Sequence, residues 1–396
     1  MMVHSTPKQH LYVILLLMVS GLQFFSYLGS VLVTPKLVKS LHGYTSLKTN
    51  MPFLVDWVWV TVIGRIIGAY LLCKLTLLIG FFKVMRLLVL VHILLAIAIS
   101  SFNFTGTLLY EDIQFMFVHR FLHAFFIPAS FMLPSLFLLN QHPKNPIILS
   151  GYACLSIGLG TLLIYKYLDF VQFYDGWHNV ILYASVVSGV CYLFAEKLLR
   201  STQRPPPLIT EKLPWHRLFL VCTYAGTCGI SFSYHFAFVD IYVKEILMGI
   251  DYQKCSFAYY YYALLIAIVP VAKFVYKQGM FMPLKLATLG ICLVAILMAN
   301  THTITLPFYI VEQLIFGCLA AILLVPCHAL VYQLFKDRPN YFEGMFWFVT
   351  CFTLFAITPH FFLKLLGVQA LPWLGILYLL PIAGLFIVAL SYYEKQ

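Results

Sequence analysis

Charge is what this 396-residue chain has least of: Asp, Glu, Lys and Arg make up 10% of it, against about 25% in soluble domains. Acidic residues are the scarcer kind, 14 against 25 Lys and Arg, which leaves a formal net charge of +11. So few charges leave no material for a soluble domain, and 62% hydrophobic residues with a mean hydropathy of +0.91 place the chain in the membrane. Catalytic signatures are missing too. There is no G-x-x-x-x-G-K-[ST], no G-x-S-x-G and no H-E-x-x-H, which excludes the commonest nucleotide, serine-hydrolase and zinc-protease chemistries. A membrane acyltransferase would need a His beside an acid at a helix end, and the nearest pair, Asp175 and His178, falls in a short outer loop. The ten cysteines lie in or beside apolar runs at irregular spacing with no C-x-x-C, so neither a disulfide framework nor a zinc site is implied. The chain reads as a non-enzyme with no catalytic residue, metal or cofactor.

What is present is a series of apolar runs, each long enough to cross a hydrocarbon core of about 30 Å as a helix. They fall near 11–33, 51–73, 84–104, 113–139, 147–166, 178–195, 216–240, 256–276, 281–300, 304–333, 345–364 and 369–392. The first lacks a small-residue cleavage pattern and continues through Phe24, Phe25 and Tyr27, so it is read as a span and not a signal peptide. Sixteen loop Lys and Arg fall on one side and seven on the other when both termini are cytoplasmic, which favours that orientation. The basic residues are scattered over short loops, which suits topology control and anionic headgroups and implies no nucleic-acid partner.

The second half of the chain echoes the first. Arg120 and Glu312 are lone charges in apolar runs, and each stands fourteen residues before a proline, Pro134 and Pro326. Gly80-Phe81-Phe82-Lys83 opens the third span as Gly279-Met280-Phe281-Met282 opens the ninth. A polar segment with Arg200, Arg204 and Pro205-Pro206-Pro207 separates the halves and is too short to be a domain. The expected organisation is a six-helix bundle over 1–195, a cytoplasmic linker over 196–215 and a second six-helix bundle over 216–396.

Three segments stand out in order: Arg65-Ile66-Ile67-Gly68-Ala69 running through Gly80, then Arg120-Phe121-Leu122-His123-Ala124, then Gln333-Leu334-Phe335 with Tyr341 and Gly344. They look like R-P-x-G-A...G-D-R-x-G-R-K, R-x-x-Q-G and E-L-F-P...R-Y-x-G. On these segments, and over nearly its whole length, the chain resembles the major facilitator superfamily, and within it the metabolite:proton symporters that include proline/betaine transporters. Leu77, Leu78, Phe81 and Phe82 replace charged positions of the loop motif, leaving Gly80 and Lys83, and Gln23-Phe24-Phe25-Ser26-Tyr27 replaces an acidic first-helix stretch. The resemblance implies an all-α fold of twelve transmembrane helices, a monomer, a central cavity lined by the first, fourth, seventh and tenth spans, and gating roles for Arg65, Gly68, Gly80, Lys83, Lys277 and Gly279.

A charge at the bilayer centre costs at least about 2.5–3.5 kcal/mol, so Arg120 and Glu312 are expected to be functional. The planar fork of Arg120 suits a substrate carboxylate. Glu312 lies about two turns inside its span, while Asp56 and Asp240 lie near span ends, which makes Glu312 the candidate for proton coupling. A locking ion pair between the two charges is the bland alternative. His123, with Gln23, Tyr224, Tyr234 and His235, completes the expected substrate-binding set. His119 and His123 share a helix side, but with no third ligand near them they do not make a metal site. Of the tyrosines 259–262, at most two can face one cavity, since successive residues fan out by about 100°.

The expected function is proton-coupled transport of a small organic solute, a zwitterion or carboxylate such as an amino acid, betaine or organic acid. A multi-pass protein of a bacterial cytoplasmic (inner) membrane is the expected setting. Efflux of amphipathic compounds and a non-transporting sensor of the same fold stand as alternatives.

Overall fold

A computed structural model describes residues 7–42, 47–101, 110–171, 177–199, 215–237, 258–301, 305–338, 341–366 and 371–395. Among these the secondary structure is helical throughout, with no strand. In chain order the helices are α1 (Pro7–His42), α2 (Leu47–Ile79), α3 (Phe81–Ser101), α4 (Tyr110–Gln141), α5 (Pro146–Val171), α6 (Trp177–Leu199), α7 (Trp215–Ala237), α8 (Ala258–Gln278), α9 (Phe281–Ala299), α10 (Leu306–Leu324), α11 (Cys327–Phe335), α12 (Glu343–Leu366) and α13 (Leu371–Glu394). Lipid offers no hydrogen bonds, so an apolar run that pairs its own backbone groups is the form that can cross it. Among the described residues ten spans are long and apolar enough to do so, α10 and α11 counting together as one. The twelve expected spans all coincide with helices, and the all-α membrane fold stands.

Proline has two outcomes in this chain. Pro128 and Pro134 lie inside an unbroken α4, but at Val325-Pro326 the helix stops and restarts as α11, so the expected span 304–333 is two helices. Pro326 has no N–H to continue the ladder. The Tyr224 hydroxyl of α7 donates to the Leu323 carbonyl just before the break.

The chain divides into two compact units, Met1–Thr210 with Phe335–Phe346, and Glu211–Leu334 with Trp347–Gln396. Most of the expected linker, 200–214, lies outside the described residues, as does Asp240. Within the first unit α1 packs on α4, α5 and α6, α2 on α4, and α3 on α6; within the second α7 packs on α13, α8 on α10, and α9 on α13. The pairs α1–α6, α2–α4 and α3–α6 thus reappear as α7–α13, α8–α10 and α9–α13, which is the internal repeat in three dimensions.

Glycines set two of these relations. Gly64 and Gly68 form a G-x-x-x-G stripe on α2, and a Cβ on Gly68 would fall well inside the van der Waals radius of the Phe125 carbonyl of α4. Small residues at this spacing let membrane helices approach backbone to backbone. Gly80 and Gly279, 199 positions apart, have φ of +84° and +81° in the turns that lead into α3 and α9, a region that side chains with a Cβ avoid. Six residues beyond each glycine comes a cation that ties the new helix to the last one of its unit. The Arg86 guanidinium grips both oxygens of Glu196 on α6, and Lys285 meets Glu394 on α13 at 2.6 Å.

We expect Gly68→Ala to destabilise the protein by about 1–3 kcal/mol or more, because backbone cannot yield as a side chain can. The check is its thermal unfolding in detergent beside Gly384→Ala, whose new methyl would meet open space. Equal midpoints for the two variants would refute the close α2–α4 approach.

Candidate functional site

In the first unit the site is built around Tyr27. Gln23 and Tyr27 are four residues apart on α1, so they lie on one face of the helix. The Tyr27 hydroxyl accepts a 2.7 Å hydrogen bond from Arg65 Nη2 of α2. Arg65 and Arg120 place their guanidinium carbons 5.5 and 5.3 Å from the centre of the Tyr27 ring, where the negative face of an aromatic attracts a cation. Arg120 also donates from Nε to the Thr61 hydroxyl at 2.8 Å and is 7% exposed. Two guanidiniums on one buried ring concentrate positive charge where the dielectric is low. An anionic group brought against Arg120 would be held strongly.

Three imidazoles adjoin this cluster. His123 lies with its ring centre 5.6 Å from Tyr27, 5.3 Å from His92 of α3 and 5.2 Å from His119. Gln23 is fully buried, and neither atom of its amide has a hydrogen-bond partner among the described residues. An unmet buried amide costs about 1–3 kcal/mol, and a polar ligand would recover that cost.

In the second unit Glu312 belongs to a closed ring of polar contacts. Gln313 Nε2 donates to Glu312 Oε2 at 2.8 Å, which makes the other amide atom of Gln313 the carbonyl. That carbonyl oxygen is 3.0 Å from His235 Nε2, so Nε2 must carry a proton. The second ring nitrogen, Nδ1, lies 3.5 Å from Glu312 Oε1. The Phe316 ring covers the imidazole in parallel at 3.9 Å. A small cleft opens on Glu312, His235, Tyr234 and Ser231, with Ile291, Val294, Ala295, Met298, Phe316 and Leu379 as its apolar walls.

The remaining candidates are spread more widely. Tyr224 is fully buried, bonded to the Leu323 carbonyl and stacked on Phe386. Gly68 lies in the α2–α4 contact and Gly80 and Gly279 in turns, while Lys83 and Lys277 are exposed at helix ends. Of the four consecutive tyrosines, Tyr260 and Tyr261 are buried, and Tyr260 faces His235. Tyr27, Thr61, His92 and Gln313 were not anticipated. Tyr27 was signalled by its four-residue step from Gln23, and Gln313 by its place beside Glu312; nothing local marks Thr61 or His92.

We expect His235→Phe and Glu312→Gln each to lower stability and their double variant to lose less than the sum, with a coupling of about 0.5–3 kcal/mol. Thermal unfolding of the four proteins measures it. Strict additivity would show that the two side chains do not interact.

Solved transporter structures share this arrangement of helices. The proton:xylose symporter XylE bound to 6-bromo-6-deoxy-D-glucose is 12% identical, with a TM-score of 0.73 over 97% of this chain and 95% of its own. The human organic anion transporter MFSD10 is 14% identical, with a TM-score of 0.69 over 98% and 99%. A double Trp mutant of XylE is 13% identical, with a TM-score of 0.72 over 98% and 96%. No protein-family model and no curated protein matches the sequence itself. Likeness at this level establishes the fold, that of the major facilitator superfamily, across the whole chain.

Proposed function

We propose that the protein is a secondary active transporter that carries a small organic acid or zwitterion across the membrane by alternating access, together with protons. The observation that carries this reading is the buried guanidinium of Arg120, held by Thr61 and Tyr27 beside Arg65 in an apolar bundle. Such a charge has a large desolvation cost, and positions of this kind in membrane helices serve substrates or ions. In this reading Arg120 grips the carboxylate, and Gln23 and His123 complete the polar contacts. Glu312 carries the proton, sharing it with His235.

Midplane binding between two repeated halves is the general plan of such transporters, and the shared fold with a proton symporter and an organic anion transporter supports it. The halves are proposed as 1–195 and 216–396 joined by 196–215, working as a monomer with both termini cytoplasmic. Arg65, Gly68, Gly80, Lys83, Lys277 and Gly279 are proposed to serve gating, and the setting is the bacterial cytoplasmic membrane. One observation favours a second reading: the mostly apolar walls of the cleft beside Glu312 suit an amphipathic compound, which would make the protein an exporter.

Uptake of labelled amino acids, betaines and dicarboxylates into proteoliposomes, with and without an inward-acid gradient, separates these readings. We expect gradient-driven uptake of an acid or zwitterion, cut about 10- to 100-fold by Arg120→Gln, the loss of one or two charge-assisted hydrogen bonds, and uncoupled from the gradient by Glu312→Gln. Transport unaffected by either change, or accumulation of amphipathic compounds alone, would overturn the first reading.

A further inference from the structure

The histidines of the first unit have no part in the transport reading beyond His123, yet they are arranged in a way that packing alone does not require. His92 and His123 are fully buried and His119 is 5% exposed. His92 Nδ1 lies 2.8 Å from the Leu88 carbonyl and His119 Nε2 lies 3.0 Å from the Leu95 carbonyl. A carbonyl can only accept, so each of these nitrogens carries the ring's proton, and in a neutral ring the opposite nitrogen is a bare lone pair. For His92 that atom, Nε2, has no partner among the described residues. The ring of His123 stands between the other two. The backbone thus orients two imidazoles so that basic nitrogens are left over inside the bundle. Among the described residues no group of His, Cys, Asp and Glu is arranged to hold a metal ion, and a bare imidazole nitrogen is a proton acceptor.

We propose that His92, His119 and His123 form one shared proton-binding site, and that its occupancy is linked to an anion held by Arg120. Adding one proton converts one ring to an imidazolium, and with ring centres 5.2 and 5.3 Å apart a second positive charge on a neighbouring ring is then opposed, so the three rings compete for one proton. Among the described residues the charged groups around the site are Arg120 on α4 itself and Arg65 on α2, with Tyr27 on α1 as the further titratable group; His92 comes from α3. Two guanidiniums oppose a third positive charge nearby, and an anion bound at Arg120 offsets that opposition. Linkage makes the effect reciprocal: an anion at Arg120 favours the proton, and the proton favours the anion by the same factor. Proton and acid would then enter as a pair, with the first unit coupling them independently of Glu312. This deepens the proposed function and rests on Arg120 as the anion anchor only in its second clause.

The test is an NMR titration of the full-length protein in nanodiscs with labelled histidine, from about pH 8 to pH 5, the range in which imidazole changes charge. His92→Gln, His119→Gln and His123→Gln assign the signals. We expect the three signals to move together with one midpoint and a total of one proton per molecule. In Arg120→Gln the shared midpoint moves to higher pH, and Arg120→Lys restores it. Three signals that do not move in wild type or in Arg120→Gln, or that move separately and regardless of Arg120, would overturn the proposal. The titration needs no solute, so its failure leaves the anchor role of Arg120 standing. Solute uptake unchanged in Arg120→Gln refutes the anchor without touching the shared proton.

Discussion

The hydrocarbon core supplies no hydrogen bonds and little dielectric screening, and every other feature of this protein follows from how its polar groups meet that condition. Backbone groups are satisfied within helices, and where Pro326 interrupts the ladder a tyrosine hydroxyl from α7 binds a carbonyl beside the gap. Side-chain hydroxyls of Ser and Thr turn back on their own helices, as Thr76 does to Leu72 and Thr227 to Thr223. Charges are few because each must be provided with a partner. The membrane therefore acts as a filter on the sequence, and the polar residues that remain buried together mark where the protein uses its chemistry.

The two units answer the same condition with opposite charge. The first gathers two guanidiniums, a tyrosine and three imidazoles around α1, α2, α3 and α4. The second holds a carboxylate, an imidazole and an amide in a closed ring between α7 and α10. The scaffold beneath them is shared, from the left-handed glycines at the turns to the close helix pairs α2–α4 and α8–α10. The polar residues thus differ in sign between the two units while the helix pairs and turns beneath them match.

Much of this was legible from the amino acids because the bilayer imposes a simple code. Span length and hydropathy marked the helices, and Gly80 with Gly279 marked the repeat. Arg120 and Glu312 stood out since charge is rare in such runs. The break at Pro326 was not foreseen, because Pro128 and Pro134 have the same chemistry and leave α4 intact; the outcome depends on packing, not on proline alone. Tyr27 was overlooked although it stands one turn from Gln23, since its role exists only because Arg65 and Arg120, on two other helices, converge on it. The ion pair of Arg86 with Glu196 spans 110 positions and has no signature that sequence spacing could reveal. The G-x-x-x-G stripe at Gly64 and Gly68 was available and reads as a packing motif, a more direct account of Gly68 than its place in a loop pattern.

The clasps that close each unit have aged differently. On α3 an arginine holds both oxygens of an almost fully buried Glu196, a planar, directional grip in which the acid side chain is 5% exposed. On α9 a lysine meets a Glu394 that is 43% exposed, a single point charge that water and salt can reach. Duplicated hardware has thus become a two-point fork and a single contact. Each keeps one partner that water reaches, Arg86 at 49% and Glu394 at 43%, so ionic strength slackens both ties, and the second hydrogen bond of the fork makes the one between α3 and α6 the slower to yield.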